Sequence, residues 1–87
     1  MELKIVPSND KYYLEMKNIP FSVLTWTVSD KTIAHLLSIQ WEEYVQLLKN
    51  NNAIMDNWGS YFYSKEDAER AIKELEPYLI MANLMEE

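Results

Sequence analysis

The chain of 87 residues is long enough for one domain and leaves no room for a second. It has no cysteine, which excludes disulfides, thiolate nucleophiles and cysteine-ligated zinc, and its single glycine argues against a glycine-rich phosphate loop. The net charge is −6, and residues 64–87 hold seven acidic side chains against three basic ones. This balance opposes binding to nucleic-acid phosphates and to acidic membrane surfaces.

Two runs with period-two alternation open the chain. MELKIV places Leu3 and Ile5 on one face, and YYLEMK places Tyr12, Leu14 and Met16 together. The turn-forming residues PSNDK lie between them, so the pattern predicts a β-hairpin. A third run of branched and aromatic residues, FSVLTWTV, predicts another strand and completes a β-rich part over residues 1–28.

Helical spacing follows, in the stretch TIAHLLSIQWEEYVQLLKN. A first short helix is predicted around Ile33 and Leu37, with Ser29 or Asp30 available as its N-cap. A second helix carries inward residues three and four apart at Trp41, Tyr44, Leu47 and Leu48. Three asparagines at 50–52 end it, because asparagine readily adopts the left-handed conformation of a C-cap.

The remaining sequence predicts a short hairpin and a long helix. AIMDNWGSYFY has two short apolar ends around a turn that contains the only glycine. Ser64 with Asp67 three residues later is typical of a capping box before a helix. Pro77 predicts either a kink in that helix or a break that starts a last helix.

These elements predict an α+β fold in a single domain over residues 1–87. An N-terminal β-hairpin and third strand (1–28) precede a winged-helix-like core (29–76), which contains a helix-turn-helix and a short β-wing. A C-terminal helix extension covers 77–87.

The order of elements from Asp30 on resembles the excisionase-like winged helix-turn-helix family, over residues 30–75. IAHLLSI is similar to the family's first helix and turn, in which Ala34 packs against the second helix. Ser38 stands where the family usually has a turn glycine, and EEYVQLLKNN resembles the second helix. AIMDNWGSYFYSKEDAERAI resembles the family's wing and the helix after it, without the basic residues that grip phosphate. The ending YFYSKEDAERAIKELEPYL is also similar to small, mostly uncharacterised phage proteins.

The resemblance implies DNA reading by the second helix, but the charges of that helix favour a protein partner. Gln40 and Gln46 are suited to reading base edges, whereas only Lys49 on this helix neutralises a phosphate. Glu42 and Glu43 would face the negative DNA backbone. Three interpretations stay open: a purely structural helical core, protein binding through this face, and DNA binding.

Aromatic and wing-tip residues are candidate anchors for a partner. Trp41 lies at the start of the second helix, and Asp56, Asn57 and Trp58 form the predicted hairpin tip. Tryptophan is enriched among residues that dominate binding energy. Base stacking by these aromatics or by Tyr61 and Tyr63 is weak without a cationic groove, so packing is the alternative.

The sequence predicts no catalytic, cofactor or metal site. His35, the only histidine, lies among apolar residues on a predicted helix, and a metal site needs several matching ligands. Bases alternate with the acids of the last helix, as on a solvated face.

The last residues carry more apolar surface than a terminal helix needs. Ile80, Met81, Leu84 and Met85 predict either packing on the N-terminal hairpin or an interface with a partner or second copy.

Together these observations predict a small acidic, non-catalytic binding protein, encoded by a phage or mobile element and acting in the host cytoplasm. It would inhibit or modulate a basic, nucleic-acid-handling host protein or defence complex (anti-CRISPR or a similar type), with no membrane partner. The alternatives are an excisionase-like DNA-binding regulator and an oligomeric assembly component, such as a homodimer. The partner-binding candidates are Gln40, Trp41, Glu42, Glu43, Gln46, Asp56, Asn57 and Trp58.

Overall fold

The computed structural model describes residues 1–18, 29–56 and 59–85. Within these ranges, two antiparallel strand pairs and three helices follow one another in the order β1, β2, α1, α2, β3, β4, α3. The predicted α+β class, with its N-terminal hairpin and C-terminal helix, is confirmed. The predicted third strand at FSVLTWTV lies outside the described residues.

The N-terminal hairpin consists of β1 (Glu2–Ser8) and β2 (Lys11–Lys17). Asn9 and Asp10 connect them with φ angles of 49° and 64°, as in a two-residue turn whose twist matches that of the strands. The turn is tighter than PSNDK predicted, since Pro7 and Ser8 belong to β1.

Pro7 is tolerated in β1 because of its place in the ladder. It pairs with Tyr12, whose backbone N–H and C=O both bond to Phe62 at 2.8 Å, away from β1. The missing N–H of proline therefore costs no bond between β1 and β2. The same Tyr12–Phe62 bridge attaches the hairpin to the rest of the molecule.

The two short helices are α1 (Asp30–Leu36) and α2 (Trp41–Asn50). Ser29 is the N-cap of α1, and its Oγ accepts a hydrogen bond from the Thr32 N–H at 3.3 Å. Ser38 turns the chain with a φ of 56°, after which the Ile39 N–H donates to the Ala34 carbonyl at 2.9 Å. The predicted pair of helices and the Ser29 cap are confirmed.

Asparagines end α2, as predicted. Asn52 takes a φ of 65°, and Asn51 is buried with its side-chain N–H group donating to the Leu47 carbonyl at 2.9 Å. The left-handed residue is thus Asn52, one position past the C-cap.

The short β-wing consists of β3 (Ile54–Asp56) and β4 (Gly59–Tyr61), which pair antiparallel. Gly59 has a φ of 127°, a conformation that L-residues with a side chain rarely adopt. The only glycine of the chain therefore lies at a position that requires glycine, at the start of β4, as the hairpin prediction implied.

The C-terminal helix α3 runs without interruption from Lys65 to Met85. The Ser64 Oγ accepts from the Asp67 N–H at 3.4 Å, which supports the predicted N-terminal cap. Pro77 lies inside the helix, so the alternative of a break and a separate last helix is wrong. Packing of Leu75 and Ala82 on either side of Pro77 supports the helix across the lost backbone bond.

The core lies where α1, α2 and α3 meet the two strand pairs. Tyr44, Leu48, Phe62 and Leu75 are fully buried at its centre, and Met16 of β2 closes it on the hairpin side. The described helices include none that is both long and apolar enough to cross a bilayer.

Candidate functional site

Asp30, at the start of α1, fixes α2 and the wing in place. Its carboxylate accepts hydrogen bonds from the Tyr44 hydroxyl at 3.0 Å, the Ser60 N–H at 2.7 Å and the Ser60 hydroxyl at 3.0 Å. One side chain thereby joins α1, α2 and β4, so the surface of α2 is presented on a rigid frame.

Tyr44 carries the buried end of this network. Burial raises the pKa of its hydroxyl well above the usual range, and the charge of Asp30 and the hydrogen bond to it raise this pKa further. The Tyr44 proton therefore stays on the hydroxyl and donates to Asp30.

Sequence reasoning missed the role of Asp30, which it treated only as a candidate N-cap. Ser60 lies 30 positions further along the chain. No local spacing reveals such a pair, although an acid before an apolar helix with a buried tyrosine 14 positions later is a weak signal.

The outward surface of α2 contains the predicted partner-binding residues of that helix. Gln40, Glu42, Glu43 and Gln46 are exposed, and Trp41 is 38% exposed. We call these five residues the α2 surface. Gln40 is the N-cap of α2, and the other four residues lie on its first two turns. They surround the start of the helix, with Trp41 on the side of Lys31 in α1 and Glu43 on the side of Tyr78 in α3.

Trp41 is held in position although it is partly exposed. Its ring stacks on that of Tyr44 with centroids 5.7 Å apart and an interplanar angle of 23°. The Lys31 ammonium lies 5.8 Å from the Trp41 ring, within the range of a cation–π contact. Trp41 is thus an ordered side chain with a free edge.

Glu43 connects the α2 surface to α3. The Tyr78 hydroxyl donates to its carboxylate at 2.8 Å, and this hydrogen bond raises the pKa of Tyr78. Gln46 donates to the Asn50 side chain at 2.8 Å, one turn further along α2.

No cation neutralises the two carboxylates of the α2 surface within the described ranges. There, the one salt bridge joins Arg70 to Asp67 at 2.9 Å, within α3. Glu42 and Glu43 therefore project negative charge into solvent at the start of α2.

A shallow groove of about 630 Å³ runs between α1 and the start of α2. Its polar edge includes Lys31, exposed His35 and Gln40, and Trp41 forms one wall. His35 is exposed at the surface. In the part of the chain that the structure describes, no group of three or more His, Asp or Glu side chains could hold a metal ion.

The wing contributes Asp56, which is exposed at the end of β3 opposite Gly59. Asn57 and Trp58, the other two predicted wing residues, lie outside the described residues.

The aromatic residues at the end of the wing pack on one another. Tyr61 contacts Tyr13 and Tyr63, with ring centroids 5.9 and 5.4 Å away, and the Lys11 ammonium lies 4.5 Å above its ring. The hydrogen bond with Tyr63 is the largest cause that raises the pKa of Tyr61, and burial is the second. Together they raise this pKa to about 12. Packing therefore accounts for Tyr61, whereas Tyr63 is largely exposed.

The apolar residues predicted as a second interface lie on the outer side of α3. Ile80, Met81, Leu84 and Met85 are 53%, 59%, 63% and 77% exposed. We call these four residues the terminal patch. Packing on the N-terminal hairpin, the alternative interpretation, is wrong for them; Leu79 and Ala82 make the inward contacts instead.

Comparisons with protein-family models, with curated proteins and with solved structures found no match. The resemblance to the excisionase-like family therefore stays a prediction, and the function has to be argued from the chain's own residues.

Proposed function

We propose that the protein is a non-catalytic binding protein whose α2 surface docks on a basic protein. The observation that carries this proposal is the pair of exposed carboxylates at Glu42 and Glu43, which have no cationic partner in residues 1–18, 29–56 and 59–85. They occupy the part of the second helix where a DNA-binding protein needs neutral or positive side chains.

Electrostatics favours a cationic partner over nucleic acid. With a net charge of −6, the whole molecule repels phosphates and attracts a basic surface over several ångströms. Complementary charges accelerate encounter and fix orientation more than they add affinity. Affinity then needs an apolar anchor beside the charges.

Trp41 is the anchor we propose. Its stacking on Tyr44 orders the indole before any partner arrives, so little side-chain entropy is lost on binding. Tryptophan also contributes large contact area, which is why it is enriched at binding hot spots. The Asp30 network adds to this preorganisation by fixing α2 against the wing.

The partner class follows from the sign and shape of the surface. A protein that handles nucleic acid carries a basic groove, and an acidic helix occupies such a groove in competition with nucleic acid. This supports an inhibitor or modulator of a host nuclease, polymerase or defence complex. The excisionase-like DNA regulator remains the alternative function.

Affinity capture from host lysate, with and without added nuclease, tests the proposal. Glu42→Gln with Glu43→Gln should reduce recovery of the captured protein at least about tenfold, because interfacial charge pairs are removed. Glutamine retains an acceptor for the Tyr78 hydroxyl, so the fold is preserved.

The matched control is Glu66→Gln with Glu69→Gln, two exposed acids in the first turns of α3. This variant has the same net charge as the α2 variant and should capture like the wild type. Equal loss of capture in both variants would mean that net charge, and not the α2 surface, determines binding. Capture that disappears when nuclease is added would favour direct nucleic-acid binding.

A further inference from the structure

The register of the N-terminal hairpin shows which backbone groups of β1 point outward. The N–H and C=O of Tyr12 bond to Phe62, so they point away from Pro7, the residue opposite Tyr12 in β1. Hydrogen-bonded and non-hydrogen-bonded pairs alternate along an antiparallel ladder. The N–H and C=O groups of Leu3 and Ile5 therefore also point away from β2. We call these outward groups of Leu3 and Ile5 the β1 edge.

The β1 edge is a short template for strand pairing. In the part of the chain that the structure describes, β2 is the one strand that pairs with β1. Unpaired N–H and C=O groups of an edge strand are groups on which another extended chain pairs. Pro7 has no N–H and ends this template, so the usable edge extends from Leu3 to Ile5.

A groove of about 500 Å³ lies along the β1 edge, between β1 and α3. Three consecutive residues of β1 line it, although their side chains alternate between two faces, so the groove follows the edge of the strand and not one face. On α3 it is lined by half-buried Ile72 and by three exposed charged residues, Glu69, Lys73 and Glu76. One wall of the groove thus carries backbone donors and acceptors, and the other carries an apolar residue with a charged rim.

We propose that the β1 edge binds an extended segment of a partner protein, which adds to the hairpin as a further antiparallel strand beside α3. The backbone groups select this occupant, because an extended chain presents donors and acceptors at the spacing of the edge. The proposal does not depend on the function of the α2 surface, since the two sites share no residue.

The charges of β1 specify part of the sequence of this segment. Glu2 and Lys4 are exposed and lie opposite Lys17 and Glu15 in the hairpin. A strand at the other edge of β1 meets the same two residues of β1. Because opposite charges stabilise cross-strand pairs, the segment should place an acid opposite Lys4 and a base opposite Glu2.

The side chains of the segment that point into the groove should be apolar. They lie opposite Leu3 and Ile5, which pack against the core, and they face Ile72 of α3. The preferred segment therefore reads apolar, acid, apolar, base from its N-terminus. Its acid and base cancel, so the net charge of −6 on the protein does not oppose its binding.

An NMR titration of the protein with the end-capped peptide Thr-Val-Glu-Val-Lys-Thr tests the proposal. We expect a dissociation constant between about 10 µM and 1 mM, because so short a segment buries little area. The largest amide shifts should occur at Leu3 and Ile5. No binding at about 1 mM peptide would overturn the proposal.

Hydrogen exchange tests whether the β1 edge is free. Without peptide, the amides of Leu3 and Ile5 should exchange at least about tenfold faster than those of Lys4 and Val6, which point toward β2. Bound peptide should slow the exchange of Leu3 and Ile5. If these two amides are already protected in the free protein, another part of this chain covers the edge, and the proposal is overturned.

Two control peptides separate backbone pairing from side-chain contact. N-methylation of both valines keeps their side chains but removes the N–H donors, and it should abolish binding. Exchange of the glutamate and the lysine keeps the composition but sets like charges opposite each other, and it should weaken binding about fivefold. Undiminished binding of the N-methylated peptide would contradict pairing on the edge, and undiminished binding of the exchanged peptide would contradict the assigned segment.

Lys4→Glu is the test variant of the protein, and it should reverse the preference between the two charged peptides. The new glutamate lies opposite Glu15, so circular dichroism and slow exchange of the Val6 amide serve to verify that the hairpin persists. Lys49→Glu is the matched control, because it makes the same change in charge at an exposed position of α2. It should retain the preference of the wild type. An unchanged preference in Lys4→Glu would overturn the proposed register.

Discussion

At the residue scale, the side chain that matters most to the arrangement of the surface is Asp30. It is the common acceptor for donors on α2 and β4, and hydrogen bonds to a charged group contribute about 1.5–3 kcal/mol each to stability. The Asp30 carboxylate thus decides how α2 is held relative to the wing.

Asp30→Asn should lower the free energy of unfolding by about 1–3 kcal/mol, because asparagine offers one acceptor oxygen in place of two. Urea denaturation of this variant, of Tyr44→Phe and of the double variant measures the change and its coupling. The two effects should fall short of adding, since Asp30→Asn weakens the Tyr44–Asp30 bond by removing its charge and Tyr44→Phe removes that bond. Full additivity would show that the bond contributes nothing.

Tyr44 makes the free energy of unfolding depend on pH in the alkaline range. Its pKa is raised in the folded protein above the ordinary value of 10.0, so the folded state binds the hydroxyl proton more tightly than the unfolded chain. The resulting stabilisation is complete below about pH 10 and is lost as the pH rises through the folded pKa.

Denaturation of the wild type and Tyr44→Phe at pH values above about 10 measures this contribution of Tyr44 to stability. The wild type should lose stability faster, by up to about 1.4 kcal/mol per pH unit for one proton. Tyr44→Phe retains every other ionisable group of the wild type, so the difference between the two curves isolates Tyr44. Parallel curves would contradict the assigned pKa direction.

At the element scale, the turn between α1 and α2 stores backbone strain at Ser38. Its φ of 56° is a left-handed conformation that costs about 1–2 kcal/mol for a residue with a side chain, other than asparagine or aspartate. Serine adopts the turn regardless, because the Ile39–Ala34 bond and the packed helices enforce it.

Ser38→Gly should therefore raise the free energy of unfolding by up to about 1 kcal/mol, the relief of strain exceeding the added entropy of the unfolded chain. Asn52→Gly is the comparison. The φ of Asn52 is 65°, but asparagine tolerates this conformation and its side chain donates to Asp67 at 3.3 Å, so the change should be destabilising. Thermal or urea unfolding compares them. A destabilised Ser38→Gly would show that the serine is not strained.

Pro77 is the corresponding irregularity within α3. It removes one backbone hydrogen bond in an exposed part of a continuous helix. Pro77→Ala should stabilise the protein by about 1–3 kcal/mol and leave the helix length unchanged. A loss of stability would mean that Pro77 provides a contact that alanine cannot replace.

The sequence predicted the elements that depend on local chemistry and missed contacts between distant residues. Period-two alternation located the hairpin, and the caps at Ser29 and Ser64 marked two helix starts. A proline alone could not decide between a kink and a break, because the outcome depends on packing by Leu75 and Ala82 around it.

At the scale of the whole molecule, long-range contacts assemble the surfaces. Glu43 meets Tyr78 across 35 positions, and Tyr12 pairs with Phe62. Alternation and helical spacing do not encode these pairs, so the sequence predicted the members of the α2 surface but not its connection to α3. It also left open whether Ile80 and its neighbours were covered.

The whole molecule therefore presents two surfaces of different chemistry on one small core. The α2 surface is negative and anchored by an ordered tryptophan, whereas the terminal patch is apolar and uncharged. Added salt should weaken the binding of a basic protein at the α2 surface, because it screens the attraction between opposite charges.

The central claim is that the α2 surface recognises a protein and not DNA. Its most direct test is fluorescence anisotropy of labelled duplex DNA titrated with the wild type at physiological salt. We expect no binding at about 1 µM protein, because too few cations are present to release phosphate counterions. Sub-micromolar binding that falls steeply with added salt would contradict the claim and assign the surface to DNA.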